Sequence, residues 1–150
     1  MRTFEELVEA HGREIFAYAL RLTGDRDAAD DLFQETFLAA FRAFGRTEDR
    51  NLRAWLYRIA TNKATDTRRR EARTVRLGDL ALVSPDRDGV TPADLAAAIR
   101  ALPAHERAAF VLRRVQDLPY DEVARVLECS EEAARKRVSE ATKKVKEAMR

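Results

Sequence analysis

Cysteine, histidine, glycine and proline are all scarce in this chain of 150 residues, which has 1 Cys, 2 His, 5 Gly and 4 Pro. The single cysteine, Cys129, cannot form a disulfide within the chain, and one cysteine with two histidines is too few for a zinc site of ordinary ligand spacing. We therefore expect no metal and no other cofactor. Scarce cysteine also indicates a reducing compartment, so we expect a cytoplasmic protein.

Long hydrophobic runs are also missing. The longest uninterrupted apolar run extends only from Ile15 to Leu20, far short of the roughly 20 residues that a membrane-spanning helix needs. The first six residues, Met1 to Glu6, have no apolar core of the kind found in a signal peptide. The sequence therefore predicts neither membrane insertion nor export.

Motifs of the common catalytic sites are absent as well. The chain has no His-Glu-x-x-His pair and no glycine-rich phosphate loop, and its acids, bases and thiol are scattered along the sequence. We therefore expect no enzymatic activity and no small-molecule substrate.

The small net charge conceals how the charges are arranged. The chain has 28 Lys and Arg against 26 Asp and Glu, which gives a formal net charge of +2. Residues 1–40 have 4 basic and 9 acidic side chains, a net charge of −5, whereas residues 41–78 have 11 and 4, a net charge of +7. The chain is therefore electrically segmented, with its most basic block in the middle.

Glycine and proline cluster in one stretch, between Gly78 and Pro92. Such a cluster is typical of a linker, which we place at residues 75–91, between domains at 1–74 and 92–150. On both sides of it, apolar residues recur at steps of three and four, the period of a helix, and strand alternation is absent. The sequence thus predicts an all-α protein of two small helical bundles joined by a flexible linker.

One predicted helix of the first domain has two contrasting faces. Phe33, Phe37, Phe41 and Phe44 recur at helical spacing and are expected to be buried. The opposite face holds Asp31, Gln34, Glu35 and Leu38. A leucine among acids and an amide suggests a surface for a protein partner, and the alternative is an ordinary solvated face with one stray leucine.

The next predicted helix begins after Asn51, which we expect to cap it. A strip at steps of three and four holds Trp55, Arg58, Asn62, Asp66 and Arg69, and further arginines, including Arg70, follow. An aromatic ring and amides among arginines are what single-stranded DNA binding needs, because bases stack on rings while cations follow the backbone. The alternative for Trp55 alone is a place in the core.

The last stretch of the second domain has the spacing of a helix-turn-helix. Ala124 and Ala134 are separated by a short break, Ser130 can cap the helix that follows, and small residues are needed where two helices cross closely. Ala134, Val138, Ala141 and Val145 are expected to be buried, and the contrasting side is basic, with Arg135, Lys136, Ser139, Lys143, Lys146 and Arg150. Such a strip suits the major groove of DNA, and the alternative is a solvated basic face.

These stretches together resemble the extracytoplasmic-function group of bacterial RNA polymerase sigma factors. The resemblance rests on three segments: Gly24 to Leu38, Trp55 to Ala64 with Asp66, Arg69 and Arg70, and Ala101 to Arg113 continuing into the helix-turn-helix. It covers nearly everything outside the linker.

The resemblance implies an initiation factor that directs core RNA polymerase to promoters. By matching positions, Asp31, Gln34, Glu35 and Leu38 would bind core polymerase. The residues that would recognise and melt the minus-ten element, partly as single strand, are Trp55, Arg58, Asn62, Lys63, Asp66, Arg69 and Arg70. Those that would read the duplex minus-thirty-five element are Arg135, Lys136, Arg137 and Ser139, and the basic strip adds Lys143. The family also admits an anti-sigma factor as a partner.

Three positions depart from the family pattern: Glu128 stands where glycine is usual, Ala134 where a larger aliphatic is commoner, and Glu140 where arginine is frequent. The promoter sequence therefore cannot be transferred. A competing interpretation is a stand-alone helix-turn-helix regulator that binds duplex DNA without core polymerase. Cys129 lies at the helix-turn-helix break, where a small buried thiol is expected rather than a redox sensor.

Overall fold

The fold, obtained as a computed structural model, is described for residues 3–48, 50–74 and 92–150, with side chains described except at 67–74 and 92. In this part of the chain the regular structure is entirely helical. The helices are α1 (Phe4–Thr23), α2 (Arg26–Ala43), α3 (Leu52–Thr74), α4 (Pro92–Arg100), α5 (Ala104–Phe110), α6 (Tyr120–Leu127) and α7 (Glu131–Ala148). A 3-10 turn at Phe44–Arg46 follows α2, and a π-helical turn at Val111–Val115 follows α5. The predicted all-α class is confirmed, and the predicted linker at 75–91 lies outside the described residues.

Several helices begin where a side chain can accept a hydrogen bond from the first turn. Asn51 Oδ1 accepts from the Ala54 amide at 3.0 Å, and Ser130 Oγ accepts from the Ala133 amide at 3.0 Å. Both caps were predicted, because Asn and Ser satisfy amides that have no partner within the helix.

Helices α1, α2 and α3 form the first bundle around two tyrosines that are completely buried. The rings of Tyr18 and Tyr57 meet edge to face with centroids 5.0 Å apart, and the Tyr18 hydroxyl lies 2.7 Å from Thr61 Oγ1. Two polar groups inside this core thereby satisfy each other.

Of the four phenylalanines predicted to be buried on α2 and at its end, Phe37 is buried and Phe33 and Phe44 are partly buried. The prediction was wrong for Phe41, which is 61% exposed. Steps of four residues rotate by about 40° each, so a series of such steps moves off the buried face. The fully buried line of α2 instead includes Ala29, Thr36 and Ala40. Phe41 still makes an edge contact with Phe4, with centroids 5.2 Å apart.

Helices α4 to α7 form the second bundle, in which α6 and α7 pack together as the predicted helix-turn-helix. The buried line of α7 is Ala134, Val138, Ala141 and Val145, as predicted. Glu128 ends α6 with φ of 58°, the left-handed conformation in which the usual glycine costs nothing. This departure from the family pattern therefore places a residue with a side chain in a strained conformation at the turn.

The two bundles pack directly against each other, which the sequence did not predict. Helix α3 contacts α6, α1 contacts α4 and the π-helical turn, and residues of both bundles share one hydrophobic core. Arg107 of α5 is only 9% exposed and donates hydrogen bonds to the carbonyls of Leu22, Arg100 and Leu102. Its planar guanidinium thus joins the ends of α1 and α4. Among the described helices, none combines the length and apolar character needed to cross a membrane.

Candidate nucleic-acid and protein interfaces

The outer face of α2 combines acidic and apolar side chains. Asp31, Gln34 and Glu35 are exposed, and Leu38 is 49% exposed. Phe41 lies three residues further on the same side of the helix, so two large exposed apolar groups are neighbours. Exposed apolar side chains with polar residues around them are typical of a protein-binding surface. The 40° drift of the phenylalanine series was the signal that could have identified Phe41.

Part of this face borders a groove between the two bundles. Asp31 and Glu35 line one side of it, and Arg100 and Arg107 of the second bundle line the other. Two acidic residues of α2 and two arginines of the second bundle thus line the same groove. A protein that binds α2 will meet the second bundle in this arrangement.

A short stretch near the start of α3 is enclosed by the rest of the molecule. The four consecutive residues Ala54 to Tyr57 are buried, and four positions in a row point all round a helix. Trp55 is 7% exposed and belongs to the hydrophobic core. Of the two interpretations of Trp55, the structure supports a place in the core, because a ring covered in this way offers no free face for a base.

Beyond this buried stretch, four of the residues predicted for the minus-ten element are at least partly exposed. Asn62 and Asp66 are exposed, and Arg58 and Lys63 are half-buried. The helix continues through Arg69 and Arg70, whose side chains lie outside the described residues. Four of the seven residues predicted for the minus-ten element thus lie along one described stretch of helix.

The exposed side of α7 carries the predicted basic strip. Arg135, Lys136, Ser139 and Lys143 are exposed, and Arg137 is half-buried. A shallow groove beside the strip is lined by Arg114, Tyr120, Arg135, Ser139, Thr142, Lys143 and Lys146. The sequence did not predict Arg114, Tyr120 or Thr142 in this groove. Arg114 and Tyr120 belong to other elements, which only the fold brings next to α7. Thr142 is on α7 itself, next to the basic strip.

A charged cluster joins the bundles on another side. Arg53 Nε donates to both carboxylate oxygens of Glu14 at 3.0 Å, and its Nη1 donates to Glu122 Oε1 of the second bundle at 2.9 Å. Glu122 Oε2 also accepts from Asn51 Nδ2 at 3.3 Å. The side chains of Arg53 and Glu122 are 32% and 22% exposed, so this ion pair is partly shielded from water.

A second link crosses the same boundary. Gln116 Nε2 donates to the Tyr57 hydroxyl at 2.9 Å and to the Glu14 carbonyl at 3.3 Å. The Tyr57 hydroxyl in turn donates to Glu14 Oε1 at 2.8 Å. Burial raises the pKa of Tyr57, and the neighbouring Glu14 raises it further, so the phenol stays neutral and remains a donor.

Glu14 at the centre of this cluster is held in its charged form. Burial acts to raise the pKa of its carboxyl, but hydrogen bonds from Arg53, His11 and Tyr57 outweigh burial and leave the pKa below its ordinary value. Glu14 raises the pKa of Arg53 in turn, so these two residues stay oppositely charged at neutral pH.

Comparison with known proteins covers both bundles. The family model for Sigma-70 region 2 matches residues 7–74, and the model for Sigma-70, region 4 matches residues 93–145. The two matched ranges correspond to the two bundles of the structure.

Individual relatives agree with these matches. The ECF RNA polymerase sigma factor SigE of Mycolicibacterium smegmatis is 34% identical over 139 residues, which cover 85% of this chain and 54% of that protein. The RNA polymerase sigma-H factor of Pseudomonas aeruginosa is 30% identical over an alignment that covers 99% of this chain and 86% of that protein. The solved structure of CnrH in complex with the cytosolic domain of CnrY matches this fold with a TM-score of 0.68, over 95% of this chain and 84% of that one, and the two sequences are 30% identical.

Proposed function

The chain belongs to the extracytoplasmic-function sigma factors of bacterial RNA polymerase, and from this membership we propose how its two bundles divide the work of directing the polymerase to promoters. Residues 1–74 bind core polymerase and recognise and melt the minus-ten element. Residues 92–150 read the minus-thirty-five element as duplex, and residues 75–91 connect the two. The observation that carries the proposal is an exposed basic strip on the second helix of a helix-turn-helix, opposite a fully buried line.

Core polymerase binds to the exposed face of α2 in this proposal. Asp31, Gln34, Glu35 and Leu38 form the predicted surface, and the exposure of Phe41 extends it. Apolar groups at the centre contribute buried area, and the acids around them select a basic partner surface.

The minus-ten element is held by α3 from Arg58 onward. Arg58, Asn62, Lys63 and Asp66 supply its described part, and Arg69 and Arg70 continue the helix. Cations follow the backbone of the separated strand, and amides hydrogen-bond to its bases. Trp55 supports this helix from the core instead of stacking on a base, which revises its predicted part.

The minus-thirty-five element is read by α7. Arg135, Lys136, Ser139 and Lys143 are exposed on the strip that enters the major groove, and Arg137 lies at its edge. Arginine can donate to both acceptor atoms of guanine, whereas lysine neutralises phosphates. Separate contacts of these two kinds give both sequence preference and affinity.

The two bundles must separate to occupy both elements. Elements centred near positions minus ten and minus thirty-five are about 25 base pairs apart, or roughly 85 Å at 3.4 Å per base pair. In the structure, Arg53 and Glu122 of the two bundles are only 2.9 Å apart. The 17 residues of the connecting segment can reach at most about 60 Å when extended, and the widths of the bundles supply the remainder. Promoter binding therefore breaks the charged cluster.

Partners and location follow from the family. Sigma factors are not enzymes, and we propose no catalytic part and no cofactor for this chain. It acts where the polymerase acts, in the cytoplasm. CnrH is a relative seen with the cytosolic domain of CnrY. We propose that this chain also binds a protein partner besides core polymerase, an anti-sigma factor. A stand-alone regulator is not favoured, because the region 2 match covers the whole first bundle.

The test uses the full chain with core polymerase and promoter fragments recovered from a randomised pool. One fragment is fully duplex, and one carries an unpaired bubble at the minus-ten element. Arg135→Ala is expected to weaken binding of both fragments, whereas Arg58→Ala is expected to weaken binding mainly of the fragment with the bubble. Arg13→Ala, on the exposed surface of α1, is the control. Equal losses on both fragments for both variants would contradict the division of work.

A further inference from the structure

Tyr120, the first residue of α6, lies against two arginines. The guanidinium carbon of Arg135 is 4.2 Å from the centre of its ring, and that of Arg113 is 4.6 Å from it. Both distances are well inside the range of a cation–π contact. The residue is half-buried and lines the groove beside the basic strip of α7.

The position of the ring is set by the turn before α6. Arg113 Nη1 donates to the Leu118 carbonyl at 3.2 Å, and the buried Leu118 donates its amide to the Leu112 carbonyl at 2.9 Å. Asp117, the residue before Leu118, has φ of 63°, and this left-handed conformation turns the chain sharply toward α6. The turn before Tyr120 is therefore fixed by hydrogen bonds of Leu118, and Arg113, which makes one of them, also contacts the Tyr120 ring.

Arg135 is held on α7 from two directions. Its guanidinium lies over the ring of Tyr120, and Glu131 Oε1, one turn earlier on α7, lies 3.7 Å from its Nη2. Its side chain nevertheless remains 60% exposed. Stacking uses the flat face of a guanidinium and leaves the N–H groups in its plane available, so Arg135 can contact the ring and a base at once.

We propose that Tyr120 is a positioning residue, which holds the Arg135 guanidinium in place for a two-point contact with guanine in the duplex element. A free arginine side chain loses much rotamer freedom when it binds a base, and an arginine already ordered by a ring loses less. The inference rests on the proposed function, because it needs α7 to enter the major groove.

The experiment uses the full chain with core polymerase and a pool of duplex fragments randomised across the minus-thirty-five region. Bound fragments are sequenced, and affinities are then measured on the selected sequence and on a scrambled one. The variants are Tyr120→Phe, which keeps the ring, Tyr120→Leu, which removes it, Arg135→Ala and the double variant Tyr120→Leu with Arg135→Ala. Circular dichroism melts check that each variant is folded.

We expect the wild type and Tyr120→Phe to select guanine at the same position. Tyr120→Leu should lose that preference at the position where Arg135→Ala loses it, with roughly 3- to 10-fold weaker binding of the selected sequence. Binding of the scrambled sequence should change little. The double variant should be no weaker than Arg135→Ala, because both changes remove the same contact.

Four results would overturn the inference. Tyr120→Leu could keep the guanine preference at full affinity, or it could weaken both sequences equally, which would make Tyr120 a phosphate contact or a packing residue. If the wild type itself selects no sequence in this region, the proposed function of α7 fails, and the inference fails with it. Loss of the preference in Tyr120→Phe would assign the effect to the hydroxyl and would also refute a stacking role.

Discussion

Glu122→Gln should loosen the contact between the bundles without unfolding either of them. The carboxylate accepts from Arg53 Nη1 at 2.9 Å and from Asn51 Nδ2 at 3.3 Å, and both are residues of the other bundle. Hydrogen bonds to charged groups contribute about 1.5–3 kcal/mol when shielded, and exposed ion pairs about 0–1 kcal/mol. The side chains of Glu122 and Arg53 are 22% and 32% exposed, so we expect their ion pair to stabilise the contact between the bundles by about 1–2 kcal/mol. Its loss would change the ratio of molecules with the bundles in contact to molecules with the bundles apart by roughly 5- to 30-fold.

Energy transfer between two dyes can measure this ratio. Cysteines introduced as Glu9→Cys on α1 and Glu147→Cys on α7 are exposed sites for labelling, and Cys129→Ser removes the native thiol. Glu122→Gln should lower transfer efficiency at low salt. Added salt should lower the transfer efficiency of the wild type toward that of the variant, because screening weakens the ion pair between Arg53 and Glu122.

Asp121→Asn is the matched control for this experiment. It removes a negative charge from the same first turn of α6, so any effect through the helix dipole is shared by the two variants. Its side chain is exposed. If Glu122→Gln and Asp121→Asn give the same transfer efficiency and the same salt dependence, the ion pair does not hold the bundles together and the reasoning is refuted.

Four further predictions concern stability and binding. Trp55→Ala should destabilise the protein by about 3–5 kcal/mol, measured by urea unfolding followed by circular dichroism, because it leaves a cavity in the core; an unchanged midpoint would mean that the ring is not buried in solution. Glu35→Lys should weaken binding to core polymerase at least tenfold in a titration, whereas Glu9→Lys on the exposed surface of α1 should not, and equal affinities would remove α2 from the interface. Glu128→Gly should raise stability by roughly 1 kcal/mol in thermal melts, since glycine adopts the left-handed conformation without strain, and a lower melting temperature would contradict the strain at that turn. The pKa of Glu14 is lowered in the folded protein, so its charged form stabilises the fold near neutral pH, and this stabilisation is lost as the pH falls below about 4.3, the pKa of an unperturbed glutamate. Glu14→Gln should therefore weaken the loss of unfolding free energy at acidic pH. An unchanged acid dependence would assign that loss to other carboxylates.

Local features were predictable because they depend on residues close together in the sequence. The caps at Asn51 and Ser130 each act on an amide three residues later. The buried line of α7 repeats at helical spacing, so the order of apolar residues in the sequence is enough to identify it. Helical spacing gave the wrong result for Phe41, because a series of four-residue steps rotates slowly around the helix and leaves the buried face.

Contacts between the bundles could not be predicted in this way. Arg107 bonds to the Leu22 carbonyl, 85 residues away, and Arg53 bonds to Glu122, 69 residues away. In the sequence each of these arginines looks like an ordinary surface charge, and only the docking of two separately formed bundles shows its partner. Tyr120 was missed for the same reason, since its ring reaches Arg135 across two elements.

The central claim is that this chain directs core RNA polymerase to particular promoters, and one measurement tests it most directly. Purified protein is titrated against core polymerase, and the same mixture is then used to transcribe a pool of promoter fragments. We expect tight binding to core and transcripts from a narrow subset of fragments that share an upstream and a downstream element. Absence of binding to core, together with binding to duplex DNA by the protein alone, would contradict the claim.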